Sequence, residues 1–190
     1  MLNLPQDFPI TTGTLLTSLK VLQLPSLLKR GMLGLTQQKT GRFRADQDID
    51  DMARLVYAPT AILLRFIATT PDLALPLIFP TPREFLKTLM SAFPTEPDLQ
   101  EISLPLGLEK SAASRWKRGL NSRPYTAAQV LMALITADPD RIAERWQIVT
   151  RMATLEAELR GIDLATAGSW GDRPQAWIPR LNKGSHPNIH

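Results

Sequence analysis

Leu99–Arg118 reads LQEISLPLGLEKSAASRWKR, and its pattern decides how the rest of the chain is read. Asp98 stands as a cap before a short helix, Leu99–Leu106, whose apolar Ile102 and Leu106 share one side with Leu108 at the turn. Gly107 closes that helix where the chain must bend sharply, a place for φ > 0. A second helix, Lys110–Arg118, ends at Gly119. Ala113 and Trp116, three positions apart, give it an inward apolar stripe. Lys110, Ser111, Ser114, Arg115 and Arg118 fall on its other face, and Lys117 on a side open to solvent. Ser103 is small where a larger residue would hold the two helices apart. Pro105 interrupts the pattern: it has no N–H and crowds the preceding turn, which predicts a shortened or irregular first helix.

Helical signals continue on both sides. Thr81 caps a helix with Pro82 at its first position, running to Ala92 with Phe85, Leu86 and Leu89 on one face. Thr126–Ala137 places Ala127, Val130, Leu131, Leu134 and Ile135 at helical intervals. Asp138-Pro139 opens a last helix that runs through Leu159 and stops at Gly161. Upstream, Thr14–Lys29 has helical spacing broken by Pro25, and Asp48 or Asp50 caps a helix through about Tyr57. Pro59 opens Thr60–Ala68, whose run AILLRFIA is apolar almost all round, as in a core or a subunit interface. With no convincing strand pair the class is all-α. Phe79-Pro80-Thr81-Pro82 marks the boundary between a helical packing or dimerisation region, 1–80, and a second domain, 81–160. An irregular tail, 161–190, follows.

Composition removes several function classes. The 190 residues include no cysteine, so disulfides and cysteine zinc sites are excluded. The two histidines, His186 and His190, lie in the tail, and no glycine-rich phosphate loop or zinc-protease pattern occurs. Asp46, Asp48, Asp50 and Asp51 lack the glycine and final glutamate of a calcium loop, and read instead as helix N-terminal charge. The sequence therefore predicts neither an enzyme nor a bound metal or cofactor. No stretch reads as a membrane span or a secretory signal, which points to a cytoplasmic protein. The net charge of +4 is unevenly spread. Lys20, Lys29, Arg30, Lys39, Arg42 and Arg44 form one basic block; Lys110, Arg115, Lys117, Arg118 and Arg123 form another. Such blocks are either solvated faces or surfaces for a polyanion.

The second block coincides with the paired helices, and the combination is a helix-turn-helix with a basic exposed face, as entry into a major groove requires. The stretch resembles the helix-turn-helix of the Cro and phage-repressor family over residues 82–150, most specifically in SAASRWKRGLNSRP, residues 111–124. The resemblance implies a λ-repressor-like domain of four or five helices that binds double-stranded DNA, usually as a homodimer. It implies that Lys110 and Ser111 meet phosphates or bases, and that Ser114, Arg115 and Arg118 reach base edges or the flanking backbone. Arg123, in the loop with Asn121 and Ser122, would hold phosphate, with Asn121 also counted among the DNA-binding residues and Lys117 on a side that faces backbone or solvent. Pro105 departs from the family, which carries a helix former there. A fainter likeness, in LPSLLKRG at 24–31 and GRFRADQDIDDMARL at 41–55, is to the small subunit of the flagellar master activator, which would imply a second regulator subunit.

The expected function is a sequence-specific transcriptional regulator. A DNA-binding accessory protein of plasmid or phage maintenance or transfer would use the same residues. An adaptor that offers its basic helix to an acidic protein is the reading without DNA.

Overall fold

The helices that open at Pro82 and Leu99 begin where a side chain satisfies one of their first free N–H groups. In the computed structural model, which describes residues 3–21, 52–70, 79–95, 97–120, 124 and 126–171, the Thr81 hydroxyl accepts from the Glu84 N–H. The Glu84 carboxylate accepts from the Thr81 N–H at 2.8 Å, so two orphan donors are satisfied reciprocally. Asp98 accepts from the Gln100 N–H at 2.9 Å, and Asp138 from the Asp140 N–H at 3.2 Å.

The helices are α1 Thr12–Val21, α2 Ala58–Thr69, α3 Pro82–Ser91, α4 Leu99–Ser103, α5 Ala112–Lys117, α6 Thr126–Thr136 and α7 Ile142–Arg160. Short 3-10 turns, Leu104–Leu106 and Pro139–Arg141, follow α4 and precede α7. Among the described residues the extended backbone pairs only at one isolated antiparallel bridge, Thr11 with Leu55, so the all-α class expected from periodicity holds.

One expectation is corrected at that bridge. The helix expected to reach Tyr57 has ended by Arg54, and the chain runs extended beside the N-terminal segment. The Thr12 N–H donates to Arg54 C=O at 2.8 Å and the Val56 N–H to Ile10 C=O at 3.2 Å. Pairing with residues 10–12 satisfies these backbone groups and buries Val56, which local helix propensity does not do. The Pro25 break, the Asp46–Asp51 cluster, the basic residues 29–44 and the tail beyond 171 lie outside the described residues.

One apolar cluster contains Ile10 and Leu15, Ile62 and Phe66 of α2, Phe85 and Leu89 of α3, Ile102, Trp116, Leu131, Val149 and Trp170. Helices before and after Phe79-Pro80 thus share it. Every residue of α2 from Ala58 to Phe66 is buried, as its apolar run requires. The exception in chemistry is Arg65, 1 % exposed, whose Nε donates to Glu156 of α7 at 2.7 Å. Its other nitrogens donate to Pro5 C=O and Phe8 C=O at 2.7 and 3.1 Å. Glu156 also accepts from the Ile10 N–H at 3.1 Å and from Arg160 at 2.7 Å. A buried ion pair persists when every hydrogen-bonding group is satisfied in this way, and here it joins the N-terminal segment, α2 and α7. Arg145 has a separate role: it donates to Leu134 C=O at 2.8 Å, placing a cation at the negative end of α6.

Candidate nucleic-acid interface

The predicted interface centres on α4, α5 and the turn between them. Pro105 has the expected effect: α-helix stops at Ser103, and Leu104–Leu106 continues as a 3-10 turn. Gly107 then adopts φ 75°, ψ 20°. Its N–H donates to Leu104 C=O at 2.8 Å, and the Leu108 N–H donates to Ser103 C=O at 3.1 Å. This is the paired hydrogen bonding of a Schellman stop, completed by a left-handed residue. Gly119, at φ 80°, repeats it after α5: its N–H reaches Trp116 C=O and the Leu120 N–H reaches Arg115 C=O, both at 3.0 Å.

Ser103 has a larger role than small size. It is fully buried; its hydroxyl donates to Leu99 C=O at 3.3 Å and accepts from the Ala113 N–H at 2.9 Å. The Ala113 N–H is one of the free donors in the first turn of α5, so a side chain of α4 caps α5 across the turn. Ala113 and Trp116 are 0 % and 1 % exposed and face the core, as their spacing predicts.

α5 is shorter than expected. It runs Ala112–Lys117, with Lys110 and Ser111 in the preceding turn and Arg118 as its C-cap. Ser111, Lys117 and Arg118 are exposed, and Lys110, Ser114 and Arg115 are half-buried. These six predicted residues therefore occupy one short stretch whose apolar side is turned inward. Asn121 and Arg123 lie outside the described residues. Arg115 does not extend freely into solvent. Its Nη1 donates to the Glu109 carboxylate at 3.0 Å and to the Ser111 hydroxyl. Arg118 turns back over its own helix, its Nε reaching Ser114 C=O at 3.4 Å.

Sequence reasoning missed the C-terminal segment that braces this unit. Trp170 is 8 % exposed, and its indole N–H donates to Leu104 C=O at 2.8 Å. The Lys110 N–H donates to Gly168 C=O at 3.0 Å. Residues 168–170 thus hold both ends of the turn, while the Arg160 guanidinium lies 5.8 Å from the Trp170 ring centre, within cation–π range. The available signal was a tryptophan in a segment otherwise rich in small residues: a large apolar ring there needs a site to bury it.

No group of three or more potential metal-ligating side chains occurs among the described residues. No helix there is long and apolar enough to cross a membrane. Compared with family models, curated proteins and solved structures, the chain matches none of them.

Proposed function

We propose that α4, the Gly107 turn and α5 form a helix-turn-helix, and that the protein is a sequence-specific DNA-binding transcriptional regulator. The observation that carries this reading is the division of α5: Ala113 and Trp116 are buried, while Ser111, Lys117 and Arg118 are exposed beside half-buried Ser114 and Arg115. A helix anchored on one side and basic on the other is what major-groove entry needs.

In this reading Arg115 reads the base. An arginine bonded twice to guanine gives about 1–3 kcal/mol of discrimination. Its pair with Glu109 is largely solvent-exposed and worth about 0–1 kcal/mol, so exchange for a base edge is favourable. Lys117 and Arg118 neutralise phosphates, and Lys110, Ser111 and Ser114 position the helix. The six residues of α5 rise only about 9 Å, enough for a few base pairs. A homodimer on two half-sites, or a second regulator subunit, supplies the remaining specificity.

The test is selection of genomic DNA fragments by the full chain at physiological salt, repeated with Arg115→Ala and Lys117→Ala. The expected result is a short recurring motif whose preference is lost in Arg115→Ala. Lys117→Ala should weaken binding to all sequences alike. Equal capture of every fragment would reduce the protein to a general polyanion binder, and no capture would move the basic face to a protein partner.

A further inference from the structure

Arg115 differs from the other basic residues around α5 in having a carboxylate of its own. Its Nη1 donates to Glu109 at 3.0 Å and to the Ser111 hydroxyl. Among the described residues no carboxylate meets Lys110, Lys117 or Arg118. The backbone around Glu109 is also tied down on both sides. The Leu108 N–H donates to Ser103 C=O at 3.1 Å and the Lys110 N–H to Gly168 C=O at 3.0 Å. Glu109 C=O itself accepts from the Ala112 N–H at 2.9 Å. The carboxylate is therefore presented to Arg115 from a fixed turn.

In water this pair is worth little, because 32 % and 61 % of the two side chains are exposed. Its consequence comes against DNA, where water is displaced and charges a few ångströms apart interact strongly. A phosphate that takes Arg115 must displace one anion from the guanidinium and then stand beside it, like charge against like. Guanine presents N7 and O6, both uncharged acceptors, and brings no such repulsion. Lys117 and Arg118 are exposed to any phosphate, so contact with random DNA does not need Arg115.

We propose that Glu109 is a positioning residue that sets sequence specificity: paired with Arg115, it withholds the guanidinium from phosphates and leaves it for guanine. This rests on the DNA-reading role given to Arg115 above. On a wrong sequence Arg115 stays with Glu109 and adds nothing to affinity. On the right one it gains the base. The carboxylate thus weakens binding to random DNA more than binding to the target, and specificity is the ratio of the two.

The test compares the full chain with Glu109→Gln by fluorescence anisotropy across a series of potassium chloride concentrations. One duplex carries the selected motif and the other is of random sequence. Glu109→Gln should bind the random duplex about tenfold more tightly, as one added hydrogen bond from a charged donor implies. Its salt slope there should steepen by about 0.9, the counterion release of one more phosphate. The slope on the motif should stay the same, and the ratio of the two affinities should fall about tenfold. A merely structural loss would weaken binding to both duplexes, the opposite sign. In an Arg115→Gln background, Glu109→Gln should alter neither the ratio nor the slope, because the carboxylate acts through Arg115. A ratio unchanged by Glu109→Gln, or a change that persists without Arg115, would overturn the role of Glu109 and leave the motif and the regulator reading intact. Absence of any motif in the unaltered chain would overturn that reading and this inference with it.

Discussion

Pro59, at the start of α2, packs directly on Gly107 in the turn between α4 and α5. A Cβ placed on Gly107 would lie 2.4 Å from the Pro59 nitrogen and 2.7 Å from its Cδ. Two independent constraints therefore act on this glycine, its left-handed backbone and the absence of room. The turn that sets the angle of α5 is seated on the start of α2, far earlier in the chain.

Gly107→Ala should accordingly combine a conformational cost of about 1–2 kcal/mol with an overpacking cost of about 1–3 kcal/mol. Gly119→Ala provides the contrast, because nothing lies within 4 Å of a Cβ there and only the φ of 80° is penalised. Urea unfolding of both variants measures the difference. Equal losses would show that Pro59 yields without cost.

Ser103→Ala removes the acceptor for the Ala113 N–H and leaves that donor buried and unsatisfied. The expected loss is about 1–3 kcal/mol by denaturant unfolding. Ser103→Val, which also adds volume at a fully buried position, should lose more. A neutral Ser103→Ala would mean that α5 does not depend on α4 for its first-turn cap.

Glu156→Leu should be among the most damaging single changes, at about 3–5 kcal/mol, because it strands the buried Arg65 charge. Adding Arg65→Met removes the stranded cation. The double variant is expected to be more stable than Glu156→Leu alone, although Arg160 loses its carboxylate partner in both and keeps Val56 C=O. Thermal unfolding of the two variants decides this, and a further drop in the double variant would contradict it.

Glu84 is held below the usual glutamate range, first by the hydrogen bond from the Thr81 backbone and then by the Thr81 hydroxyl, with a small opposing effect of burial. A carboxylate with a lowered folded pKa adds stability that is present above its unfolded pKa and lost as pH falls through the folded one. The stability gap between the protein and Glu84→Gln should thus be constant at neutral pH and close in acid. Melting curves across that range check the sign, and a gap that widens in acid would exclude the capping box as its source.

The amino-acid sequence alone determined several caps and stops and the apolar side of α5. Thr81, Asp98, Asp138, Gly107 and Gly119 act through bonds that close within two to five residues, so residue type at one spacing is sufficient. Ala113 and Trp116 needed only the helical repeat to be assigned inward, and Pro105 only its missing N–H to predict the irregular end of α4.

Tertiary structure decided what depended on distant partners. Arg54–Val56 is extended because Ile10–Thr12 lies beside it, and Arg65 is tolerated in a buried helix because Glu156, 91 residues on, meets it. Trp170 could be read as a ring in need of burial, but not as the brace on Leu104. The basic face of α5 was legible, whereas the return of Arg115 to Glu109 depends on the path of the chain around Gly107. A cap is a local bond with one geometry available to it. A long-range contact exists only after the core has placed both partners, and no spacing in the sequence encodes that placement.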